Sequence, residues 1–231
     1  MKAAVQSSDH WRSPAESIAD RLPTKFRSKA STQGILIAQN NGTRQIFFES
    51  LGEYRLLSVL LARRDIVDVR EQQEAVYRDD DGVVRRHYFD FVVTFVDGTR
   101  KALAYKPSDR ALKLGFMEFL SDLATRISPE VADEIVLVSE RDLPRDAVHN
   151  AVLFHDCRRD PPNPADAAVI SVLSNIVGEL SIGDLRDATG LGGDGYRAIV
   201  RLIGSGQLIV QGNARITSGT LVRAADREDA R

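Results

Sequence analysis

Apolar side chains change their spacing along the chain from helical to alternating and back again. From Phe47 to about Ala62 they recur at helical spacing, and Ser50 can cap the start, so the pattern predicts an amphipathic helix. Alternating or wholly apolar runs then predict strands at residues 66–72, 74–79, 85–96 and 100–107. Asp81-Gly82 and Asp97-Gly98 predict hairpin turns between them.

Helical spacing returns later, on both sides of one more buried strand. The pattern predicts helices at 111–127 and 149–159, with the strand at 133–140. The order of helix, several strands, helix, strand and helix is typical of an α/β or α+β sandwich. We therefore expect an α/β fold with a mixed or antiparallel sheet.

A run of prolines at 161–164 divides the chain. Pro-Pro-Asn-Pro breaks regular structure and predicts a stiff linker. Beyond it come helical patterns at 165–179 and 181–189, the glycine-rich turn LGGDG, a third helix at 195–206 and two short strand signals. This is the order of a winged helix, so we expect a first domain at 45–160 and a winged-helix domain at 165–231.

Composition narrows the class of protein. Residues 1–44 are polar and locally basic, and we expect a partly ordered N-terminal arm there. The whole chain has a formal net charge of −2, so nucleic-acid binding requires a local basic surface.

The single cysteine, Cys157, excludes an intramolecular disulfide and a cysteine-rich zinc site. No apolar run approaches the roughly 18 residues that span a bilayer, so we expect a cytoplasmic protein without membrane contact.

Three charged side chains have the chemical types that phosphodiester hydrolysis needs. That reaction uses a hard cation held by carboxylates, and a lysine can position the attacking water or offset charge on the phosphate. Glu53 on the first helix and Asp90 on a strand are the candidate metal ligands, and Lys106 on the next strand is the candidate lysine. The hairpin places Asp90 and Lys106 on adjacent strands. By spacing alone the signal is weak, because any charged hairpin can carry such a pair.

Four stretches carry a family resemblance: FESLGEYRLL, IVDVREQ, YFDFVVTFVDGTRKALAYKP and IVLVSERDLPRDAVHNAVLFHDCRR. In this joint order, over roughly residues 47–160, the chain resembles the TnsA family of the PD-(D/E)XK nuclease superfamily. TnsA proteins are the endonuclease subunits of heteromeric transposases. The resemblance implies a restriction-endonuclease-like mixed sheet flanked by helices, with a winged-helix domain that suits the family. It also implies Glu53 and Asp90 as metal ligands and Lys106 as the catalytic lysine.

The same resemblance implies the cofactor and the partners. These are Mg²⁺ or Mn²⁺, DNA as the substrate, a transposase subunit as the protein partner, and a location at the nucleoid. Two positions depart from the family pattern. Ala104 stands two residues before the lysine, where the family has a Gln or Glu ligand, and Phe89 stands where it often has proline.

The alanine removes a metal ligand, and two readings follow from it. Another acid can replace the ligand, and Glu49, Glu71 and Asp109 are the nearest in sequence. Alternatively, the domain is a degenerate nuclease that binds DNA or regulates another protein without cutting.

Further candidate DNA contacts lie outside this group. Arg100 and Lys101 are either phosphate contacts or an exposed hairpin end. Tyr196, Arg197 and Arg201 lie on the third helix of the second domain, in the place of a recognition helix. Acids and arginines nearly balance in that domain, so a protein-docking module is the third function left open.

Overall fold

Two short strands precede the first helix. The computed structural model describes residues 13–23, 32–39, 42–160, 164–176 and 178–226. Strands β1 (Gly34–Ala38) and β2 (Arg44–Phe48) pair antiparallel, with Ile46 and Phe48 buried on one face. The expected arm over 1–44 is therefore wrong for this hairpin. The helix expected from Phe47 begins only after it, because IFF alternates with the period of a strand.

The first helix and a four-stranded sheet form the centre of the fold. Helix α1 spans Leu51–Ala62. The strands are β3 (Ile66–Arg78), β4 (Val84–Phe95), β5 (Arg100–Tyr105) and β6 (Glu134–Val138). They lie in the order β3-β4-β5-β6, where the first three are antiparallel and β6 runs parallel to β5. The two strands expected at 66–72 and 74–79 are thus one long strand.

Helices cover both faces of this sheet. On one face, α1 and α4 (Arg145–Arg158) pack over a core that includes Leu57, Phe91 and Leu103. On the other face, α3 (Phe116–Ala124) covers a core that includes Phe89 and Leu123. The α/β class, with a mixed sheet flanked by helices, is confirmed.

The helix expected at 111–127 is two helices. Helix α2 spans Ser108–Lys113, and α3 follows after a break at Gly115. Gly115 has φ +55, in the left-handed region that glycine adopts without steric cost. The break turns α3 onto the sheet, where Leu120 and Leu123 are buried.

The C-terminal part has its own core. It contains α5 (Pro164–Leu173), α6 (Ile182–Thr189), α7 (Gly192–Gly204) and the strands β7 (Leu180–Ser181), β8 (Leu208–Val210) and β9 (Leu221–Ala224). The strands pair in the order β7-β9-β8. The expected turn LGGDG is mostly the first turn of α7, and the chain turns earlier, at Gly190 with φ +67.

The proline run lies almost wholly outside the described residues, and Pro164 already begins α5. None of the helices in the described ranges is both long and apolar enough to cross a membrane.

Two arginines of α7 join it to the end of α4 and the start of α5. Arg201 lies 2.7 Å from Asp166 and 3.2 Å from Asp160, and only 10% of its side chain is exposed. Arg197 lies 2.5 Å from Asp160 and donates to the carbonyl of Asp156. Arg201 thus faces protein, whereas Arg197 keeps 38% of its side chain exposed. Both guanidinium groups are engaged in ion pairs that the helical pattern did not reveal, and their contact with DNA stays a prediction.

We expect Arg201→Ala to lower the free energy of unfolding by about 3 kcal/mol, because it leaves Asp166 partly buried without its cation. Urea unfolding followed by circular dichroism measures the loss. Arg186→Ala is the control: its pair with Asp187 is exposed, and we expect a change within about 0.5 kcal/mol. Equal losses in the two variants would contradict the assignment.

Candidate functional site

The site lies where β4 and β5 separate. Their pairing reaches Phe91 opposite Leu103, and beyond that point the Tyr105 N–H donates to the carboxylate Oδ2 of Asp90 at 2.6 Å. The Asp90 side chain thus takes the place of a carbonyl on the neighbouring strand. A backbone N–H within a sheet requires such an acceptor. The strands diverge there and leave a cavity of about 360 Å³.

A distortion in β3 lies directly beside Asp90. Gln72 has φ +47, and among the described non-glycine residues it is the one with a positive φ. The pairing of β3 with β4 passes from Glu71–Phe91 to Gln73–Phe89 and skips Gln72 and Asp90. A bulky residue in this conformation costs about 1–3 kcal/mol, and such strain is concentrated at functional sites.

Glu53 reaches the pocket from the first turn of α1. Its N–H donates to Ser50 Oγ at 3.1 Å, and its carboxylate accepts from Ser50 Oγ at 2.9 Å and from the Glu49 N–H at 2.7 Å. Ser50 is thus the N-cap of α1, and the Glu53 carboxylate accepts from both its hydroxyl and the amide that precedes it. Glu53 therefore fixes the helix start as well as lining the pocket.

Gly52 sets the distance between α1 and β5. A Cβ at this position would lie 2.0 Å from the ring of Tyr105, so a larger residue would push the helix away. The close approach brings Glu53 to the strand end that carries Asp90 and Lys106. All three side chains line the same pocket. Their catalytic roles remain predictions.

The two carboxyl groups have raised pKa values. Burial, with a contribution from Glu53, raises the pKa of Asp90 from 3.8 to about 7, while Lys106 and Arg21 act against the shift. Burial also raises the pKa of Glu53, and the nearby Glu49 adds to this. A bound cation stabilises two acids that repel each other in a desolvated pocket, because it offsets their negative charge.

Lys106 is anchored at the other side of the pocket. Its N–H donates to the Val138 carbonyl at 2.9 Å, which ties it to β6. Its ammonium lies 4.7 Å from the centroid of the Phe116 ring, a distance typical of a cation–π contact. Among the described residues, Lys106 makes no salt bridge that would occupy its charge.

Sequence reasoning missed two further lining residues. Arg21 belongs to the expected arm, yet it lies in the pocket, 2.7 Å from Glu49. His87 was given no role, and burial lowers its pKa to about 4, so it is neutral at pH 7. No local pattern marks Arg21, because the residues it contacts are distant in sequence.

Of the three acids nearest in sequence, Glu49 is the one that lines the pocket, and its role as a ligand stays a prediction. Glu71 is fully buried elsewhere and pairs with Arg44 at 3.0 Å, while Asp109 is exposed on α2. Ala104 also lines the pocket, and its methyl group offers no ligand. Within the described part of the chain, no three His, Cys, Asp or Glu side chains are grouped closely enough to hold a metal.

The other candidate DNA contacts lie away from the pocket. Arg100 donates to the carbonyls of Glu130 and Pro129, and Lys101 lies 2.5 Å from Glu134. Both are at the start of β5, about 13–16 Å along the strand from its pocket end at a rise of about 3.3 Å per residue. Tyr196 is half-buried against the C-terminal core. Their DNA contacts remain predictions that this pocket does not support.

We expect Asp90→Asn to stabilise the metal-free protein at pH 8 by about 1–2 kcal/mol, and to have little effect at pH 4. Because the folded pKa lies above the unfolded one, the native state binds more protons between pH 4 and 7. Stability is therefore lost as the pH rises through that window, and the amide removes the loss. Thermal unfolding in chelator across this range measures it, with Asp109→Asn as the control. Equal effects of Asp90→Asn at both pH values would contradict the shift.

A scan of protein-family models and a search of curated proteins both find no match to the chain. The function is therefore derived from the geometry and chemistry of the pocket.

Proposed function

We propose that the chain is a metal-dependent DNA endonuclease subunit of the TnsA type. It would cut one strand at the end of a mobile element, while a transposase partner cuts the other. One observation carries the proposal: Glu53, Asp90 and Lys106 come from three different elements and line one pocket where the sheet separates. The mixed sheet with helices on both faces is compatible with the nuclease fold.

The residues present fit a magnesium or manganese ion. Glu53 and Asp90 would hold it, and their raised pKa values are consistent with a site that stabilises positive charge. When bound, such an ion lowers the pKa of a coordinated water and polarises the phosphate. Mg²⁺ commonly takes only one or two protein carboxylates, with water and phosphate oxygens completing its shell.

The remaining side chains position the reaction. The Tyr105 N–H donates to Asp90, and the Glu49 N–H donates to Glu53. These hydrogen bonds orient both carboxylates. The Lys106 ammonium, held against Phe116, can donate to the attacking water or to the phosphate. Arg110 is exposed at the pocket and can contact the DNA backbone.

The C-terminal part is proposed as a winged helix that contacts the partner protein. The order of α5, β7, α6, α7 and the β8–β9 hairpin supports this. Arg197 and Arg201 are used in ion pairs, and the exposed start of α7 has Gly192, Gly193 and Asp194. A helix end without available cations is better suited to protein than to DNA.

We expect the purified protein to nick supercoiled plasmid in Mg²⁺ or Mn²⁺, alone or with its transposase partner. Asp90→Ala or Lys106→Ala should reduce the rate by about 100-fold or more, because each removes a group acting at the phosphate. Asp109→Asn, a matched acid outside the pocket, should nick normally. Undiminished nicking by both pocket variants would refute the proposal.

A second candidate is a degenerate nuclease that binds DNA without cutting it. It is favoured by Ala104 and by Glu53, whose two carboxylate oxygens already accept hydrogen bonds from the Glu49 N–H and the Ser50 hydroxyl. It predicts duplex binding in chelator with an affinity that falls steeply as salt rises. Binding without nicking, even with the partner present, would favour it over the first candidate.

A further inference from the structure

A short N-terminal segment, residues 13–23, is fastened along β3. The backbone of Ala15 exchanges hydrogen bonds with Thr43 and Gln45, each at 2.9 Å. Farther along, Ser17 Oγ donates to the buried carboxylate of Glu71. Asp20 lies 3.0 Å from Arg70 and accepts from the Glu74 N–H at 2.8 Å. The segment therefore has a defined position, and Arg21 follows directly after its last anchor.

Arg21 is only partly used by its neighbours in the pocket. Its Nη2 donates to Glu49 at 2.7 Å and to Gln72 at 2.5 Å, and its guanidinium lies 5.1 Å from the Tyr88 ring centroid. The Nε–H is buried and has no hydrogen-bond partner among the described residues. A guanidinium presents its donors in a planar fork that fits two oxygens of a phosphate. An acceptor entering the pocket would satisfy this unused donor.

The pocket contains equal numbers of acidic and basic side chains, so its charge is balanced when all the acids are ionised. The acids are Glu49, Glu53 and Asp90, and the basic side chains are Arg21, Lys106 and Arg110. A divalent cation beside the two buried carboxylates would compete with Arg21 for Glu49, because like charges repel in a desolvated site. It would leave the pocket positive, which favours an incoming phosphate.

We infer that the Arg21–Glu49 ion pair is exchanged when the pocket fills, and this rests on the proposed function. Glu49 turns to the metal ion and supplies the ligand that Ala104 lacks. Arg21 then binds the phosphodiester of the DNA, with its Nε–H among the donors. In the present state Glu49 is held by Arg21, which fits the finding that no complete three-residue metal group exists among the described residues.

The test measures binding rather than cleavage. Calorimetry with Mn²⁺ alone reports on the acids, and duplex binding in Ca²⁺ reports on the phosphate contact. Glu49→Gln should weaken Mn²⁺ binding about 10-fold, as loss of a ligand or its support typically does. Arg21→Ala should tighten Mn²⁺ binding, because the ion pair that competes with the metal for Glu49 is lost, while it weakens duplex binding about 10-fold. If the Arg21–Glu49 ion pair were only structural, Glu49→Gln and Arg21→Ala would not change Mn²⁺ affinity in opposite directions.

Two further variants separate charge from exchange. Arg110→Ala removes an equal charge from the pocket without releasing Glu49, so it should change Mn²⁺ affinity less than Arg21→Ala does. Arg21→Lys keeps the charge but loses the planar fork, so duplex binding should remain weakened. This variant and Glu49→Gln carry the test if thermal unfolding shows that Arg21→Ala is not folded.

The outcomes distinguish failure of the inferred exchange from failure of the proposed function. If Arg21→Ala weakens Mn²⁺ binding as Glu49→Gln does, Arg21 only positions Glu49, and the exchange is wrong. If the wild type binds Mn²⁺ and nicks DNA but neither variant differs from it, the exchange alone fails. If the wild type binds no Mn²⁺ while remaining folded, the proposed function fails with it.

Discussion

The hydrogen bond from the Tyr105 amide to the Asp90 carboxylate determines how the site is built. The Tyr105 N–H belongs to a sheet with a layer of helices on each face, and it needs a hydrogen-bond acceptor. Here the acceptor is a side chain rather than a carbonyl of the neighbouring strand. Asp90 is therefore fixed in direction, and β5 is free to diverge. Lys106 follows one residue later, and Gly52 allows α1 to pack against the Tyr105 ring. The pocket and the position of the lysine both depend on that contact.

The acids of the pocket serve stability and chemistry in opposite senses. Glu53 stabilises the start of α1 through its hydrogen bonds with Ser50 and the Glu49 N–H, although burial disfavours its charged form. Asp90 satisfies an amide but is buried beside a second acid, which destabilises the metal-free fold at neutral pH. Gln72 adds backbone strain at the same level of the sheet. A protein selected for stability alone would not keep all three, and proteins commonly carry such costs at their functional sites.

The sequence predicted the elements with strong periodicity and the contacts that follow from a hairpin. Strand β4, strand β5 and their turn bring Asp90 and Lys106 to the same pocket, beyond the point where the pairing of the two strands ends. The β1–β2 hairpin was missed because polar residues separate two short strands. Arg21 was missed because its partners in β3 lie about 50 residues away, and no local pattern encodes such a contact. The helix with Arg201 was predicted, but periodicity cannot identify the acids that pair with it.

The anchoring of residues 13–23 also constrains the order of assembly. These residues leave the ribosome before β3 does, yet the side-chain contacts of Ser17 and Asp20 are all with that strand. The segment gains these contacts only once the strand is in place, so we expect it to dock after the sheet has formed. We therefore expect a nascent chain to bring the carboxylates and the lysine together before Arg21 joins them.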